Sequence, residues 1–249
     1  MARESTVVIV GLGEIGKPLF ELSSQHYYTV GVDLEPVEIV ERVDVLHICY
    51  PFQISDFVGE TAHYIARYKP AVTIINSTVG IGTTRAIVNK TGAAVANSPV
   101  RGKHIRMLDD LRKYTKFVGA LDPGAADHAA SHFESLGLKT KTLPSPEATE
   151  LAKLTETTYF GLMIAWAQEV ERHCDRLGVP YDDVVSFYEE ISFFPPVKYS
   201  PGVIGGHCVM PNIEILKKCG PSKILDAIEA SNRMKVEREA EARKEVVIA

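Results

Sequence analysis

A glycine-rich turn near the start of the chain restricts the possible folds more than any other feature. The run Thr6–Val10 is short, apolar and β-branched, which is typical of a buried parallel strand. The turn 11–16 follows it at once, and a helical pattern of apolar residues begins where the turn ends. A strand, a glycine turn and a helix in this order predict the first unit of a parallel α/β sheet.

The spacing of the glycines predicts what the turn does. In a strand-turn-helix unit, the first glycine permits a tight turn and the second lets a pyrophosphate approach the backbone. The third glycine lets the helix pack closely on the strand, and the helix N-terminus offers unpaired amides to the phosphates. A glycine turn without a dinucleotide is the alternative. The predicted cofactor-binding residues of this turn are Gly11, Gly13, Glu14, Ile15 and Gly16.

An acidic residue ends the second predicted strand. This strand covers residues 28–32, and Asp33 follows it. A carboxylate at that place accepts hydrogen bonds from ribose hydroxyls and repels a 2′-phosphate, which favours NAD over NADP. Only about ten residues separate Asp33 from the next strand, too few for the usual crossover helix. We therefore expect either a trimmed sheet edge or a bare loop there.

Alternation of strands and helices continues through the first part of the chain. We expect further strands and helices that build a Rossmann-like, mostly parallel sheet in residues 1–144. From about Ser145 the pattern is helical only, which predicts an all-helical domain in residues 145–249 and an α/β fold class overall. The predicted strands are 43–49, 71–76, 93–96 and 115–119, and the predicted helices are 54–68, 83–90, 148–177, 181–191, 213–218 and 222–244.

Candidate ligand-binding residues follow two of the predicted strands. Tyr50 and Pro51 come after one strand and Thr78 comes after the next. Ligands of open parallel sheets bind at the carboxyl ends of strands, so we expect these residues to contact the cofactor. The Thr78 hydroxyl is suited to donate to a cofactor or substrate oxygen. An N-cap or turn hydroxyl is the alternative interpretation.

Composition argues against several classes of function. A formal net charge of −5 argues against nucleic acid, because phosphate binding normally requires a basic excess. The four cysteines show no CxxC pair and no metal-ligand spacing, so we expect reduced thiols, a cytoplasmic protein and no metal. No apolar run reaches the ~20 residues that span a bilayer, and no secretory signal precedes the first strand, so we expect no membrane partner.

Two reactive side chains lie in the C-terminal part. Lys153 shares a helix face with Glu150, and a lysine near a nicotinamide can stabilise an alkoxide or act as acid or base. Cys208 ends the glycine-rich loop 200–208 beside His207, and its thiolate is a candidate nucleophile that His207 would help to form. A surface lysine and an inert buried thiol are the alternatives.

Together these motifs resemble the nucleotide-sugar dehydrogenases, which oxidise UDP-glucose, GDP-mannose or UDP-N-acetylmannosamine at C6. The resemblance implies NAD as cofactor, a Rossmann-like domain, and a central domain with a long helix that forms a homodimer. The matching segments occur in the family's order and cover nearly the whole chain. They are Gly11–Gly16, Ser77–Val79, Gly82–Thr84, Asn97–Pro99, Glu150–Leu154 and Gly205–Cys208.

The resemblance also implies roles for single residues. In this family NAD oxidises a primary alcohol twice, and water releases the acid at the end. Lys153 matches the lysine that supports oxyanions and proton transfer, and Thr78 matches the family's threonine. Cys208 matches the nucleophile that forms a thiohemiacetal and then a thioester. The expected substrate-binding residues are Arg101, His207, Thr157 and Asn212.

The departures from the family pattern concern its hydrolytic step. Val100 stands where the family carries a glutamate implicated in thioester hydrolysis, and Thr157 and Asn212 stand where it carries asparagine and aspartate. We also expect the family's third domain, which binds the nucleotide, to be absent from this short chain. Either the chemistry stops early or another residue supplies the base, with Glu147 and Glu150 as candidates.

The sequence is compatible with three functions. The first is an NAD-dependent, homodimeric dehydrogenase that oxidises an alcohol of a sugar-like or other polar small molecule, with Lys153 and Cys208 in its active site. The second is a two-electron dehydrogenase of the β-hydroxyacid type, in which Cys208 only lines the pocket. The third is a regulatory protein that binds NAD without catalysis, which the three substituted positions favour.

Overall fold

The structure, a computed structural model, describes residues 5–33, 37–102, 104–188, 190–192, 199–206 and 208–248. The chain forms two compact units, Met1–Lys153 and Leu154–Ala249. The sequence pattern predicts a change of domain at residue 144, just before the long helix that starts at Pro146 in the first unit. None of the helices in the described ranges is long and apolar enough to cross a membrane.

The first unit is built on one seven-stranded sheet. Its strands are β1 (Thr6–Val10), β2 (Tyr28–Val32), β3 (Val43–Ile48), β4 (Val72–Ile75), β5 (Val95–Asn97), β6 (Lys116–Ala120) and β7 (Thr140–Leu143). The strand order is β2-β1-β3-β4-β5-β6-β7, and every pairing is parallel except that of β5 with β6. The predicted α/β, mostly parallel sheet is confirmed.

The strand order reverses beside β1, which pairs with β2 on one side and β3 on the other. In open parallel sheets, ligands bind at the carboxyl ends of the strands at such a switch point. The predicted glycine turn follows β1, and Tyr50 and Pro51 come soon after β3, so both predicted cofactor segments lie at this point. The described residues of the connection from β2 to β3, 37–42, contain no helix, as the short spacing predicts.

Helices cover both faces of the sheet with apolar side chains. On one face, α1 (Gly16–Ser24) and α5 (Pro123–Ser135) pack against alternate residues of the central strands around Phe133. On the other face, α2 (Phe57–Tyr68) and α3 (Thr83–Thr91) pack around Ile75 and Ile87. Strands buried on both faces explain the continuous apolar runs in the sequence.

The sequence analysis missed two α-helices and one strand of the first unit. These are the short helix α4 (Met107–Lys113), α5 and β7. Helix α5 is rich in alanine, which leaves few large apolar residues to mark its period. Strand β7 is half-exposed at the sheet edge and reads TKTL, so its alternation is too short to stand out.

The second unit is helical. It consists of most of α6 (Pro146–Leu177), with α7 (Tyr181–Ser186), α8 (Val209–Lys217) and α9 (Lys223–Ile248). The predicted helix 181–191 ends early, at Ser186, and the predicted helix 213–218 starts early, directly after Cys208. A cluster around Ile213 and Ile228 joins α6, α8 and α9.

Candidate functional site

The glycine turn between β1 and α1 has two positions that only glycine fits. Gly11 has a φ of 90°, and a Cβ there would lie 2.7 Å from the backbone nitrogen of Tyr50. At Gly16 a Cβ would lie 1.8 Å from the carbonyl oxygen of Gly11, so the turn and the first helical turn are in direct backbone contact. These two glycines are therefore required by the fold itself.

Gly13 is different, and this difference tests whether the turn fits a dinucleotide. Nothing in the described chain lies within 4 Å of a Cβ built on Gly13, which is exposed. The fold therefore does not require glycine at this position, whereas a phosphate group lying against the backbone would. Gly13 precedes α1, whose N-cap Ile15 makes no side-chain capping bond. The free amides at this helix N-terminus suit a pyrophosphate.

The remaining residues of the predicted cofactor site lie close to this turn in the fold. Glu14 is exposed, and Ile15 is half-buried on the apolar core. Asp33 is exposed directly after β2, and the amide of Gly11 donates to the carbonyl of Val32 at 2.8 Å, which places the end of β2 beside the turn. A ribose next to the pyrophosphate would thus lie within reach of an acidic side chain, as NAD requires.

Tyr50 and Pro51 leave β3 at the same edge. The Tyr50 hydroxyl shares a 2.6 Å hydrogen bond with the Thr61 hydroxyl, and the Ser77 hydroxyl donates to the Tyr50 carbonyl at 2.6 Å. Burial is the main cause that raises the pKa of Tyr50 above its ordinary value, so it stays a neutral phenol. Pro51 is exposed. Tyr50 is thus fixed at the end of β3 by its hydrogen bonds, whereas Pro51 is accessible to a ligand.

Thr78 is half-buried two residues beyond Asn76, at the end of β4. The N-cap of α3 is Gly82, so the Thr78 hydroxyl does not cap that helix. It also has no hydrogen-bond partner among the residues that the structure describes. Its donor therefore stays available for a cofactor or substrate oxygen.

Val100, at the position of the family's glutamate, is an apolar packing residue. It is 6% exposed and forms a small core cluster with Met107 and Leu111, against which Ile15 of the glycine turn packs. The substitution therefore does more than remove a base. It fills the position with a side chain that the surrounding helix α4 buries.

Arg101 is held against β6 rather than pointing freely into solvent. Its guanidinium donates to the carbonyl of Thr115 at 2.8 Å and stacks on the ring of Phe117, 4.8 Å from the ring centroid. The side chain is half-buried. A substrate-binding role for Arg101, which stays a prediction, would have to use the donors that these contacts leave.

Glu150 and Glu147, the two candidate bases, both contact α3. The Glu150 carboxylate is 1% exposed and accepts hydrogen bonds from the amides of Gly82 and Thr84 and from the Thr84 hydroxyl, at 2.7–2.9 Å. Burial raises its pKa, although these donors oppose the shift. Glu147 instead pairs with Arg85 at 2.6 Å near the surface. Both carboxylates thus fix the start of α6 to α3.

Lys153 ends the first unit, half-buried on α6. The second unit contains Cys208, which is half-buried at the N-cap position of α8. The N-terminus of a helix carries partial positive charge, which favours negative groups beside it. His207 lies outside the described residues.

The two substituted positions of the second unit contact each other. The side-chain amide of Asn212 on α8 donates to the hydroxyl of Thr157 on α6 at 3.0 Å, and that hydroxyl donates to the carbonyl of Leu154. Asn212 is buried and sits one turn after Cys208, whose carbonyl accepts the Asn212 amide. The structure therefore joins two of the predicted substrate residues into one pair, one helical turn from Cys208.

Two buried amide side chains hold the loop that leads to Cys208. Asn232 of α9 accepts from the Ile204 amide at 2.7 Å and donates to the Ile204 carbonyl at 3.0 Å. Gln168 of α6 donates to the Gly202 carbonyl at 2.7 Å. Sequence analysis missed both residues, since single amides on helices carry no local signal.

A buried polar chain crosses the first unit, and the sequence analysis missed it as well. Lys116 Nζ donates to the carbonyl of Ser98 at 2.5 Å and to Asn76 Oδ1 at 3.4 Å. Asn76 Nδ2 bonds His47 Nδ1 at 3.0 Å, and His47 Nε2 bonds His132 Nε2 at 2.9 Å. Asn76 Oδ1 can only accept, here from Lys116, so Asn76 must donate from Nδ2 to His47 Nδ1, and neutral His47 must donate from Nε2.

The burial of this chain keeps its members uncharged or weakly charged. Burial lowers the pKa of Lys116 to about 7, helped by the positive charges of Arg101 and Lys153, while Cys49 opposes the shift. Burial also lowers the pKa of His132 to about 4 and that of His47 well below its ordinary value. The neighbouring Cys49 thiol has its pKa raised by burial to about 12, so it is neutral. No group of three or more His, Cys, Asp or Glu side chains in the described residues is arranged to hold a metal ion.

Known proteins are similar to this chain in sequence and in fold. Residues 147–234, which include Lys153 and Cys208, match the sequence model of the central domain of the UDP-glucose/GDP-mannose dehydrogenase family. This stretch of the chain is therefore similar to that family's central domain. The resemblance drawn from the motifs is thereby confirmed.

The chain is similar to UDP-N-acetyl-D-mannosamine dehydrogenase of Methanocaldococcus jannaschii, with 24% identity over 253 residues, 82% of this chain and 59% of that protein. It thus spans less than two thirds of this curated relative.

Solved structures show the same fold. The UDP-D-ManNAc dehydrogenase of Pyrococcus horikoshii has a TM-score of 0.80 at 20% identity, covering 96% of this chain and 70% of that one. The 3-hydroxyisobutyrate dehydrogenase of Mycobacterium tuberculosis has a TM-score of 0.69 at 17% identity, covering 96% and 94%. The fold of this chain is therefore that of these solved structures.

Proposed function

We propose that this protein is an NAD-dependent dehydrogenase that oxidises an alcohol of a sugar-like small molecule. One observation carries the proposal: the family's central domain, with Lys153 and Cys208, follows a sheet unit whose Gly13 leaves room for a phosphate. The relatives named as UDP-N-acetyl-D-mannosamine dehydrogenases suggest a nucleotide sugar as the substrate class.

Bound NAD would accept the hydride from the alcohol. The residues that would hold it are the 11–16 turn, Asp33 and the strand ends with Pro51 and Thr78. Within the chain, Lys153 would donate to the substrate oxygen and stabilise its negative charge as the alcohol proton leaves. Thr78 would donate to a further oxygen of the ligand and orient it.

The oxidised product can react further in two ways, which differ in whether Cys208 takes part. In the family's course, the Cys208 thiol would add to the aldehyde to give a thiohemiacetal, and a second NAD would supply the oxidant that converts it to a thioester. Water would then cleave the thioester to the acid and the free thiol. Val100 offers no base for that last step, and the Glu150 carboxylate is already engaged by three donors. In the second course the reaction ends after one oxidation. The fold likeness to 3-hydroxyisobutyrate dehydrogenase over 94% of its length supports this second course.

The test counts NADH formed per substrate molecule consumed, with UDP-sugars and with 3-hydroxyacids. Two NADH with a UDP-sugar support the family's course, and one NADH supports the second. Cys208→Ser is expected to lower turnover at least ~100-fold in the first case while NADH binding stays intact. Cys219→Ser, which changes an exposed thiol of the same unit, is the matched control. NAD binding without turnover on either panel would instead favour a regulatory protein.

We further propose that the second unit forms a homodimer. Tyr159 and Trp166 lie two turns apart on the same face of α6 and are about half exposed, at 51% and 55%. Large exposed aromatic side chains on one helix face mark an interaction surface. Light scattering should give a dimer, and Trp166→Ala should shift it toward monomer. The four free cysteines fit a reducing, cytoplasmic location.

A further inference from the structure

Lys116 lies where two strands of the cofactor edge end. It is the first residue of β6, which runs antiparallel to β5, so the start of β6 lies beside the end of β5. Strand β5 is followed by Ser98, and the neighbouring β4 is followed by Asn76. Lys116 therefore stands at the same edge of the sheet as the predicted cofactor residues.

Its ammonium group joins these two strand ends. One donor reaches the Ser98 carbonyl at 2.5 Å, and another reaches Asn76 Oδ1 at 3.4 Å. The backbone adds further ties, because the Val100 amide donates to the Asn76 carbonyl at 3.1 Å. Thr78 lies two residues beyond Asn76, and Val100 lies two residues beyond Ser98. Lys116 is thus the side chain that links both loops, in addition to these backbone hydrogen bonds.

Packing alone does not account for a lysine at this position. Lys116 is 4% exposed, and its Nζ lies 4.7 Å from the centre of the Phe133 ring, inside the apolar core. An unbranched apolar side chain would fill the same volume without the desolvation cost of a charge. What such a side chain would lack is the pair of donors at the strand ends.

We propose that Lys116 is a positioning residue of the cofactor site, which holds the loops after β4 and β5 in the arrangement that binds the nicotinamide half of NAD. This inference rests on the proposed function. Lys116 does not touch the cofactor in this role. It acts through Asn76 and Ser98 on the residues that follow them.

The protonation state of Lys116 makes its link to the two strand ends depend on pH. Four titratable groups lie around it: Cys49 and His47 on the side of β3, Arg101 after β5, and Lys153 on α6. Helix α5 places the apolar ring of Phe133 against the Lys116 amine and adds His132 beyond His47. Its pKa of about 7 means that it gains a third donor and a positive charge as the pH falls through neutrality. That charge opposes the cationic ring of NAD⁺ more than the neutral ring of NADH.

The test measures the dissociation constants of NADH, by its fluorescence, and of NAD⁺, by calorimetry, between about pH 6 and about pH 9. Lys116→Met is expected to weaken NADH binding at least ~10-fold, because the Ser98 carbonyl loses its donor. The wild type should show an NADH to NAD⁺ affinity ratio that rises below about pH 7, and the variant should not. Lys139→Met is the control, since Lys139 is an exposed lysine whose carbonyl accepts the Lys116 amide.

The outcomes separate this inference from the proposed function. A wild type that binds neither NADH nor NAD⁺ overturns both. A wild type that binds them, with a folded Lys116→Met variant within ~2-fold of it at every pH, overturns the positioning role alone. If circular dichroism shows that Lys116→Met does not fold, Lys116→Gln is measured in its place and judged by the same criteria. A weakened but pH-independent affinity in that variant supports the inference.

Discussion

The Glu150 carboxylate accepts a hydrogen bond at 2.7 Å from the amide of Gly82, the residue at the N-cap of helix α3. Gly82 has a φ of 87° and no side chain, so α3 begins without a capping group of its own. The buried carboxylate supplies the cap from another helix and satisfies the Thr84 amide as well. Glu150 therefore has a structural role at α3, and its oxygens are not free to accept a substrate proton.

Glu150→Gln is expected to destabilise the protein by about 2 kcal/mol, because an amide offers one acceptor oxygen where three donors converge. Urea unfolding measures the loss. Glu147→Gln is the matched control, three residues earlier on the same helix. Its ion pair with Arg85 is exposed, so that variant should retain wild-type stability. Equal losses in the two variants would contradict the capping role.

Gly13 and Gly16 should respond differently to alanine. The methyl group of Gly13→Ala meets no atom of the described residues, so the variant should keep wild-type thermal stability. It should bind NADH at least ~10-fold more weakly, because the methyl group occupies the place of a phosphate. Gly16→Ala places a carbon 1.8 Å from the Gly11 carbonyl oxygen and should lower stability by more than about 2 kcal/mol. Fluorescence titration and thermal melts separate the two effects. NADH binding unchanged by Gly13→Ala would argue against a phosphate at the turn.

The buried histidine pair should make the protein sensitive to acid. Burial lowers the pKa of His132 to about 4 in the folded protein and lowers the pKa of His47 as well, so both stay neutral while an unfolded chain takes up protons below about pH 6.5. The unfolded state then binds more protons, and stability must fall as the pH falls from about 6.5 toward about 4. Thermal melts across this range measure the fall.

His132→Gln tests the origin of that sensitivity. Glutamine can still accept from His47 Nε2 but does not titrate, so the variant should lose stability less steeply below about pH 6.5. His26→Gln removes an exposed histidine and should leave the slope unchanged. A slope that responds equally to both substitutions would place the sensitivity elsewhere.

The sequence predicted the features that depend on local pattern. The apolar strand runs, the glycine turn and the long α6 follow from periodicity and turn chemistry. The short connection after Asp33 predicted that no crossover helix lies in its described residues, 37–42. The side-chain contacts of Glu150, Lys116 and Asn232 could not be predicted in this way. Each joins residues far apart in the chain, and the identity of one residue says nothing about which distant carbonyl or amide it will meet.

Val100 shows why a motif alone can mislead. The resemblance to the family predicts a glutamate at this position, whereas the contacts of Val100 with Met107 and Leu111 make it part of an apolar cluster. Val100→Glu should therefore not restore thioester hydrolysis. It should destabilise the protein by about 3 kcal/mol, because a carboxylate would be buried without a partner. Urea unfolding checks the stability, and acid release from the Cys208 adduct checks the chemistry. Faster release in a stable variant would show that the pocket accepts the base.

The clamp on Ile204 should control the exposure of Cys208. Asn232→Ala removes both partners of the Ile204 backbone, so the loop before Cys208 should open locally more often than the helices around it. We expect alkylation of Cys208 by iodoacetamide to accelerate at least ~5-fold relative to the exposed Cys219, which serves as the internal reference. Mass spectrometry of each cysteine peptide measures the ratio.

Arg233→Ala changes the next, exposed residue of α9 and should leave this ratio unchanged. An unchanged ratio in Asn232→Ala, with global stability reduced, would mean that Asn232 supports the helices rather than the cysteine loop.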